Sequence, residues 1–314
     1  MIYTCTMNPA IDLFTEFEHF EPHVVNRSVF EDYQANGKTI NISFMLKKMG
    51  IENCATGFLG GFTGKYIEDE LRRAGIDTDF VHIDGITRIN TFIKAGEKEY
   101  KAVNRGPVID EKAQDALIAK ISGLEPEDLL FVSGSLPRGV NGTILKRISE
   151  LSVKKGFRLV LDVSAKTLLD CLSDHPFLIK PSDEELAAWL DEDPTVFEDD
   201  VRLIDAAVQL LNKGAERVLV SRGEKGTMYL DRDRVLQTTA PRGEVVNTAC
   251  AGDTLLGTFV GSLLQQKSIE DALIFATAAG SSTAFTAGLS DLKDVPELMQ
   301  QVKLINDTEG VRKS

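Results

Sequence analysis

The chain has 314 residues, of which 43% are hydrophobic and 26% charged, a balance that supports one large folded α/β unit and argues against extended disorder. Its 48 acidic residues outnumber its 35 basic ones, and the formal charge of −13 argues against nucleic acid or an anionic membrane surface as the main partner. The four cysteines are scattered without a C-x-x-C pair, which indicates free thiols in a reducing compartment. We therefore expect a cytoplasmic protein that binds neither nucleic acid nor membranes.

Short β-rich apolar runs alternate with longer amphipathic stretches along most of the chain. The predicted buried strands are, in chain order, MIYTCTM, NCATGFLG, DLLFVSG, FRLVLDV, PFLIK and RVLVSRG. The predicted helices are KTINISFMLKKMG, TGKYIEDELRRAG, DEKAQDALIAKIS, NGTILKRISELSVKKG and VRLIDAAVQLLNKG. From Ala251 we expect helix to about Ser290, and a further helix over about Val295 to Leu304. This alternation predicts a three-layer αβα sandwich around a mostly parallel sheet.

Two segments, about 12–34 and 87–106, break this alternation. They mix polar with aromatic or β-branched residues and lack helical periodicity, which is typical of strands with an exposed face. The pattern fits a small β-sheet lid over one edge of a site, and it fits ordinary long hairpins equally well. Because no linker or repeat interrupts the chain, we predict a single domain over 1–314 that carries this lid.

The stretch Ala251–Thr254, AGDT, precedes a long apolar helix. Backbone N–H groups at the start of a helix lack internal partners and favour an anion. An aspartate in that position is also an ordinary helix cap, so AGDT alone does not establish a site.

Further polar turns follow other predicted strands. ANGKTINIS opens a helix but is not a P-loop, because Asp32 stands where that motif needs glycine. SRGEKG fits either a hairpin turn or a loop that receives phosphates. SGSLPRG and IKPSDEEL end strands at the sheet edge where α/β proteins bind ligands.

In order and spacing, these motifs resemble the PfkB family of ribokinase-like carbohydrate kinases over nearly the whole chain. The resemblance rests on TMNPAID, NGKTIN, TRIN, SGSLPRGV, KPSDEEL, SRGEKG and ACAGD. It is best to the branch that acts on phosphosugars, namely 1-phosphofructokinase, tagatose-6-phosphate kinase and the minor 6-phosphofructokinase. The resemblance implies the ribokinase-like sandwich with a β-lid.

The resemblance also implies the chemistry and the residues that carry it. A sugar hydroxyl would attack the γ-phosphate of ATP, with Asp253 as the base that takes its proton. Backbone amides of Cys250, Ala251 and Gly252 would hold the charge on the transferring phosphoryl group. The residues implied on the sugar side are Asp12, Gly37, Lys38, Asn41, Asn90 and Ser135.

Cations on the predicted lid strands would bind the phosphate of the sugar. The resemblance implies Arg88 for this role, and Lys101 is a second candidate. Arg27 and Arg105 are weaker candidates, for which a solvated surface charge is the better interpretation.

On the nucleotide side the resemblance implies ATP together with Mg²⁺. Glu185 would organise the metal through water, although a first-turn helix acid explains this residue almost as well. The residues implied along the nucleotide are Lys180, Ser221, Gly223 and Gly226.

Four positions depart from the family pattern. Asn36 and Thr39 replace glycines of the sugar turn, Ser182 replaces an asparagine, and Cys250 replaces the first glycine of G-A-G-D. We expect Asn36 to keep the turn through a left-handed backbone and Thr39 to reshape the sugar pocket. We expect Cys250 to carry strain if its φ is positive, and the adjacent helix N-terminus to lower its thiol pKa.

The resulting functional prediction is ATP-dependent phosphorylation of a ketohexose monophosphate. The first candidate substrate is fructose 1-phosphate, which would be converted to fructose 1,6-bisphosphate. The alternative activities are those of tagatose-6-phosphate kinase and 6-phosphofructokinase. Lid cations argue against an uncharged sugar or nucleoside, and a catalytically idle sugar-phosphate sensor is the alternative from another class. Lid strands with one bare face could also pair two protomers, which suggests a homodimer.

Overall fold

The computed structural model describes residues 1–306 and forms two β-sheets with surrounding helices. In chain order the strands are β1 (Ile2–Thr6), β2 (Ala10–Phe17), β3 (Phe30–Asn36), β4 (Cys54–Gly60), β5 (Asp77–Ile83), β6 (Arg88–Ala95), β7 (Lys98–Ala102), β8 (Leu129–Ser133), β9 (Arg158–Asp162), β10 (Leu178–Ile179), β11 (Val218–Ser221), β12 (Thr227–Leu230), β13 (Val235–Thr238) and β14 (Leu304–Asn306). The α-helices are α1 (Lys38–Lys48), α2 (Gly61–Arg73), α3 (Glu111–Ile121), α4 (Thr143–Lys155), α5 (Asp183–Leu190), α6 (Asp200–Asn212), α7 (Ala251–Leu264), α8 (Ile269–Ala284) and α9 (Val295–Met299).

The large sheet has ten strands in the order β14-β13-β12-β11-β10-β9-β8-β1-β4-β5. The seven strands from β11 to β5 in this order are parallel, and β12 to β14 extend the sheet in antiparallel fashion. Parallel strands put their carboxyl ends along one edge, and the loops that leave this edge include the predicted site motifs. The mostly parallel sheet of the prediction is confirmed.

Helices cover both faces of the large sheet, as the side chains of β8 show. Leu130 and Val132 belong to a core beneath α3, α4, α5 and α6, whereas Leu129 and Phe131 belong to a core beneath α1, α7 and α8. Successive strand residues point to opposite faces, so a continuous apolar run is what a strand buried on both faces requires. Each such side chain contributes about 1.5–3 kcal/mol by leaving water. The three-layer αβα sandwich is therefore confirmed.

The small sheet has four strands in the order β3-β2-β6-β7. Its base is fixed to the sandwich by Ile11, which packs with Ile40 and Leu59 in a separate apolar cluster. Farther from the base, Phe14 and Phe92 stack with ring centroids 4.8 Å apart. The strand register places Asp12 beside Asn90 on the other face from Ile11, where the sheet borders the candidate site.

Some predicted elements differ from the observed ones. The helix expected over Val295 to Leu304 is confirmed for Val295–Met299 and is wrong beyond it, because α9 ends at Met299 and Leu304 begins β14. Leu304 pairs with Thr238 of β13, and this long-range pairing outweighs the local helical pattern. Within residues 1–306, no helix combines the length and apolar character that crossing a bilayer requires.

Candidate active site

The start of α7 is the centre of the candidate site. Cys250 precedes the helix with a φ of 66°, in the left-handed region, so the strain expected for a non-glycine residue there is present. The amide of Ala251 donates to the carbonyl of Thr248 at 3.3 Å. Among residues 1–306, the amides of Cys250, Gly252 and Asp253 have no hydrogen-bond acceptor. Three N–H groups are thus available to an anion at the positive end of the helix.

Asp253 lies in the first turn of α7 with its carboxylate buried. Its Oδ2 accepts a hydrogen bond from Asn41 Nδ2 at 2.8 Å, and Oδ1 accepts none from the described residues. Burial and the nearby Asp162 carboxylate raise the pKa of Asp253 to about 6, against the opposing effects of Lys38, Asn41 and Lys180. A carboxylate with a raised pKa and one free oxygen is suited to accept a proton near neutral pH.

Two lysines share the buried carboxylate of Asp162, at the end of β9. The Nζ atoms of Lys38 and Lys180 each lie 3.2 Å from Asp162 Oδ1. Burial alone lowers the pKa of Lys38, but the carboxylates of Asp162, Asp253 and Glu185 together raise it. A Cβ added at Gly252 would lie 3.5 Å from Lys180 Nζ, so this cation reaches the start of α7.

Asp162 was not among the site residues predicted from the sequence. It lies in the run FRLVLDV as the last residue of β9, and an acidic residue at the carboxyl end of a buried parallel strand is the signal that was available. Its Oδ2 is buried and has no hydrogen-bond partner among the described residues. This orphaned carboxylate oxygen is open to a contact from a ligand, an ion or a water molecule.

Glu185 lies in the first turn of α5 and takes part in a capping box with Ser182. Glu185 Oε2 accepts from the Ser182 amide, and the Ser182 hydroxyl accepts from the Glu185 amide, both at 3.0 Å. Its other oxygen, Oε1, lies 3.9 Å from Lys38 Nζ. The side chain thus caps its helix with one oxygen and faces the Lys38 cation with the other.

Asp12 is buried on the small sheet between two amide side chains. Its Oδ1 accepts from Asn90 Nδ2 at 2.8 Å and its Oδ2 from Asn36 Nδ2 at 2.5 Å. Burial raises the pKa of Asp12, whereas these two hydrogen bonds and the charge of Arg88 lower it. Gly37 precedes α1 with a φ of 150°, and a Cβ there would come within 2.7 Å of Thr6 Cγ2. Glycine at 37 therefore lets the turn pack closely against β1.

The two predicted phosphate-binding cations have different surroundings. The Arg88 guanidinium donates to the carbonyls of Asn8, Pro9 and Asn104 at 2.9, 3.4 and 3.1 Å, which orients it at the base of the small sheet. Lys101 is exposed on β7, and its Nζ lies 3.7 Å from Glu99. The register places Lys101 opposite Phe92 on the sheet face that Asn90 shares.

Ser135 follows β8 at the carboxyl edge of the large sheet. Its hydroxyl accepts a hydrogen bond from Asn8 Nδ2 at 3.1 Å, which ties it to the turn between β1 and β2. The backbone carbonyl of Asn8 accepts a hydrogen bond from Arg88 Nη2 at 2.9 Å. Ser135 and Arg88 therefore meet at the same turn.

A cavity of about 1160 Å³ runs from SRGEKG to the start of α7. The turn joins β11 to the antiparallel β12, so the hairpin interpretation of SRGEKG is correct and the same turn also lines the cavity. At Gly226 a Cβ would lie 1.9 Å from the Thr238 carbonyl, which excludes any side chain. The predicted residues that line the cavity are Ser221, Gly223, Gly226, Ala251 and Gly252.

Three expectations about the departures from the family pattern are wrong. Asn36 ends β3 without a left-handed backbone and acts through side-chain hydrogen bonds instead. Thr39 is fully buried and bonds to the Thr6 hydroxyl inside the sandwich, so it does not reshape a sugar pocket. Burial, followed by the charge of Asp253, raises the pKa of the Cys250 thiol, which outweighs the helix N-terminus.

Comparisons with known proteins agree with this architecture. The family described as pfkB family carbohydrate kinase matches residues 6–295. A D-tagatose-1-phosphate kinase of Bacillus licheniformis is 51% identical, covering 97% of this chain and 99% of its own. A 1-phosphofructokinase of Bacillus subtilis is 33% identical, covering 97% and 99%. The chain belongs to the pfkB family of carbohydrate kinases. It is a phosphotransferase that acts on a sugar hydroxyl.

A solved structure shows the same fold. Phosphofructokinase-2 from Escherichia coli, in complex with substrates and products, aligns with a TM-score of 0.87 and 27% identity. The alignment covers 95% of this chain and 98% of that one. The ribokinase-like sandwich with a second, smaller sheet is therefore confirmed.

Proposed function

We propose that this protein transfers the γ-phosphoryl group of ATP to the 6-hydroxyl of a ketohexose 1-phosphate, which yields a 1,6-bisphosphate. The observation that carries the proposal is the arrangement at α7. A buried carboxylate with a pKa raised to about 6 lies beside unpartnered amides and next to Lys180. Phosphoryl transfer needs positioning and charge stabilisation, and this arrangement offers both beside a proton acceptor.

In the proposed mechanism, Asp253 accepts the proton of the sugar hydroxyl at Oδ1. Asn41 holds Oδ2 and thereby fixes the direction of the free oxygen. The amides of Gly252 and Cys250, with Lys180 Nζ beside them, stabilise the charge on the transferring phosphoryl group. The Ala251 amide contributes less in this geometry, since it already donates to Thr248.

The nucleotide would occupy the cavity between SRGEKG and α7. Ser221, Gly223 and Gly226 would lie along it, and at Gly223 no Cβ would block the approach of the ligand. Lys180 would contact the phosphates at the inner end. An anionic ligand in this cavity gains from the helix N-terminus that forms its wall.

The carboxylates nearby fit a divalent cation. Asp162 has an orphaned buried oxygen and Glu185 has an oxygen directed toward Lys38, whereas the described residues contain no cluster of three acidic, histidine or cysteine ligands. Mg²⁺ suits such a site, because it prefers one or two carboxylates with waters and phosphate oxygens. When bound, it would neutralise charge on the ATP phosphates. We propose that Glu185 and Asp162 hold it.

The small sheet would act as a lid within a single kinase domain. Asp12 would orient sugar hydroxyls, with Asn90 fixing one of its oxygens and Gly37 allowing the turn to pack closely. Arg88, oriented by backbone carbonyls, would bind the sugar phosphate, and Ser135 would face the sugar across the Asn8 turn. Lys101 would supply a second positive charge on the same sheet face.

Two sugars are compatible with this site. The relatives named D-tagatose-1-phosphate kinase and 1-phosphofructokinase support D-tagatose 1-phosphate and D-fructose 1-phosphate, which differ only in the configuration at carbon 4. The 51% identity to a relative named D-tagatose-1-phosphate kinase is the reason that we propose D-tagatose 1-phosphate as the first candidate. Tagatose 6-phosphate and fructose 6-phosphate would carry the phosphate where the acceptor hydroxyl must be.

An ATP-consumption assay over these four sugar phosphates and unphosphorylated fructose tests the proposal. We expect turnover with the 1-phosphates and little with the 6-phosphates or the free sugar. Binding without turnover for every sugar would support an idle sensor instead. A preference for unphosphorylated fructose would overturn the role given to Arg88.

We also propose that two copies associate through the small sheet in the cytoplasm. Apolar side chains are more than half exposed on this sheet and its loop, and they include Val25, Val29, Phe30 and Tyr33. Among the neighbours in fold, phosphofructokinase-2 has a tetrameric inhibited form.

All four cysteines of this chain are free, which suits a reducing compartment.

A further inference from the structure

Asn36 connects the carboxylate on the small sheet to the turn that carries Asn41. Its Nδ2 donates to Asp12 Oδ2 at 2.5 Å, and its Oδ1 accepts from Asn41 Nδ2 at 2.9 Å and from the Gly37 amide at 2.5 Å. Asn41 in turn donates to the Oδ2 of Asp253. An unbroken set of side-chain hydrogen bonds therefore joins Asp12 to Asp253.

Asn36 matters to Asp12 because that carboxylate is buried without a direct cation partner. Among the described residues, only the amides of Asn90 and Asn36 donate to it, and the hydrogen bonds of the Arg88 side chain go to backbone carbonyls. A buried acceptor that loses one of two donors bears a desolvation cost and gains freedom to rotate. The Asn36 amide is thus one of two donors that favour the ionised form of Asp12, and it is the donor that holds Oδ2.

The polarity of Asn36 is fixed by its neighbours. The Gly37 amide can only donate, so the Asn36 atom that faces it must be the carbonyl oxygen, and the NH₂ group must face Asp12. Cys250 lies on the same side, with Sγ 3.7 Å from Asn36 Nδ2 and 3.1 Å from Asn41 Nδ2. The space between the small sheet and α7 is thus filled by two side chains, Asn36 and Cys250, where the sequence pattern of related motifs has glycines.

We propose that Asn36 is a positioning residue, which holds Asp12 in the orientation that binds sugar hydroxyls and keeps it in register with Asp253 through Asn41. This inference rests on the proposed function, because it gives Asp12 a role toward the sugar. The position is specific to an amide: a glycine lacks the donor, and an aspartate of the same shape replaces the donor with a second negative charge.

Two substitutions separate this positioning role from the filling of space. Asn36→Asp keeps the shape and the acceptor toward Gly37 but removes the donor toward Asp12. Two carboxylates this close share one proton, so one of their pKa values rises strongly. The KM for the sugar phosphate should rise at least about tenfold well above neutral pH, the loss expected for one hydrogen bond to a charged group. The increase should shrink as the pH falls, when the shared proton restores a hydrogen bond.

Asn36→Gly removes the donor at every pH. Its KM for the sugar phosphate should also rise at least about tenfold, but with the same ratio to wild type across the pH range. The KM for ATP should stay unchanged in both variants, since the nucleotide cavity does not contact Asn36. Asn26→Gly is the matched control, because the hydrogen bonds of the Asn26 side chain to described residues stay within the loop between β2 and β3, at Glu21 and Val24.

An Asn36→Asp variant with wild-type KM at all pH values would show that only shape matters and would overturn the inference. If that variant does not fold, Asn36→Gly decides: a sugar KM equal to wild type, or equal rises for sugar and ATP, overturns it. Failure of the proposed function looks different, since wild type itself would then not turn over. In that case calorimetric dissociation constants for D-fructose 1-phosphate and D-tagatose 1-phosphate replace KM in the same comparison.

Discussion

Asp253 illustrates how a functional residue opposes stability. Its pKa is about 6 in the folded protein against an ordinary value of 3.8, so the folded state binds the proton more tightly than the unfolded chain. Above the folded pKa, the ionised carboxylate therefore costs about 2–3 kcal/mol of folding free energy. This cost declines as the pH falls from the folded pKa toward the unfolded one.

Asp253→Asn is predicted to abolish turnover and to stabilise the fold at the same time. Near pH 8 the free energy of unfolding should rise by roughly 2 kcal/mol, and near pH 4 the gain should vanish. Denaturant titration at the two pH values, with a sugar-phosphate binding assay, measures both effects. Substantial turnover in this variant would show that Asp253 is not the base. An equal stability change at both pH values would show that its pKa is not raised by folding.

The pH dependence of turnover should follow the protonation of Asp253. Because the base acts ionised, kcat should rise with pH through about 6 and level off above it. Asp162→Asn removes a charge that raises this pKa, so the acidic limb of the profile should move to lower pH, whatever the loss in rate. Asp174→Asn, which changes a carboxylate paired with Lys146 away from the site, is the control. An unmoved limb in Asp162→Asn would contradict the assignment.

Residue types and spacing were enough to place the motifs, but not the environment of each side chain. Asp12, Asn41 and Asp253 were predicted as site residues through the family resemblance, and their side chains belong to one hydrogen-bonded set. The pKa of Cys250 was not, because burial beside Asp253 outweighs the helix N-terminus, and burial depends on long-range packing. Asp162 was missed because a lone aspartate at a strand end resembles an ordinary turn residue.

At the scale of elements, α5 shows that a departure from a family motif can preserve the local structure. Ser182 replaces an asparagine, and both are among the best N-cap residues. The capping box that Ser182 forms with Glu185 starts the helix and leaves one Glu185 oxygen near Lys38. The substitution therefore keeps the helix where the candidate metal site needs it.

Ser182→Ala is predicted to lower the free energy of unfolding by about 1 kcal/mol, the usual contribution of an N-cap. Ser182→Asn should leave it unchanged, since asparagine caps equally well. Thermal or denaturant unfolding of the pair measures this difference. Equal destabilisation by alanine and asparagine would mean that the hydroxyl has another role.

Element boundaries were predictable where the local pattern and the tertiary structure agree. The run FRLVLDV became β9 because a buried parallel strand needs continuous apolar residues. By contrast, the segment after Met299 joins the sheet edge as β14, and its pairing partner β13 lies some sixty residues earlier in the chain. No local pattern contains that information.

In the whole molecule, the small sheet has exposed apolar side chains on an edge strand, where a second copy of the chain could bind. Tyr33, on edge strand β3, is 52% exposed, and Phe30 on the same strand is 55% exposed. Exposed apolar residues on an edge strand are typical of an interface.

Phe30→Glu with Tyr33→Asp is predicted to convert a dimer into monomers in sedimentation velocity, because charges would be buried at the interface. Val201→Asp, a change to an exposed valine of α6 away from the small sheet, is the control. A wild-type protein that sediments as a monomer, or a double variant that remains dimeric, would contradict the proposed interface.

We propose above all that ATP and a ketohexose 1-phosphate bind next to Asp253 and that the γ-phosphoryl group passes between them there. Phosphorus NMR of wild-type protein with ATP, Mg²⁺ and D-tagatose 1-phosphate or D-fructose 1-phosphate measures this transfer. We expect the signals of ADP and of a second phosphomonoester on carbon 6 of the sugar, and we expect neither signal with Asp253→Asn. If wild-type protein phosphorylates neither sugar, the proposed function is wrong. If Asp253→Asn phosphorylates the sugars as well as wild type does, the role of Asp253 is wrong.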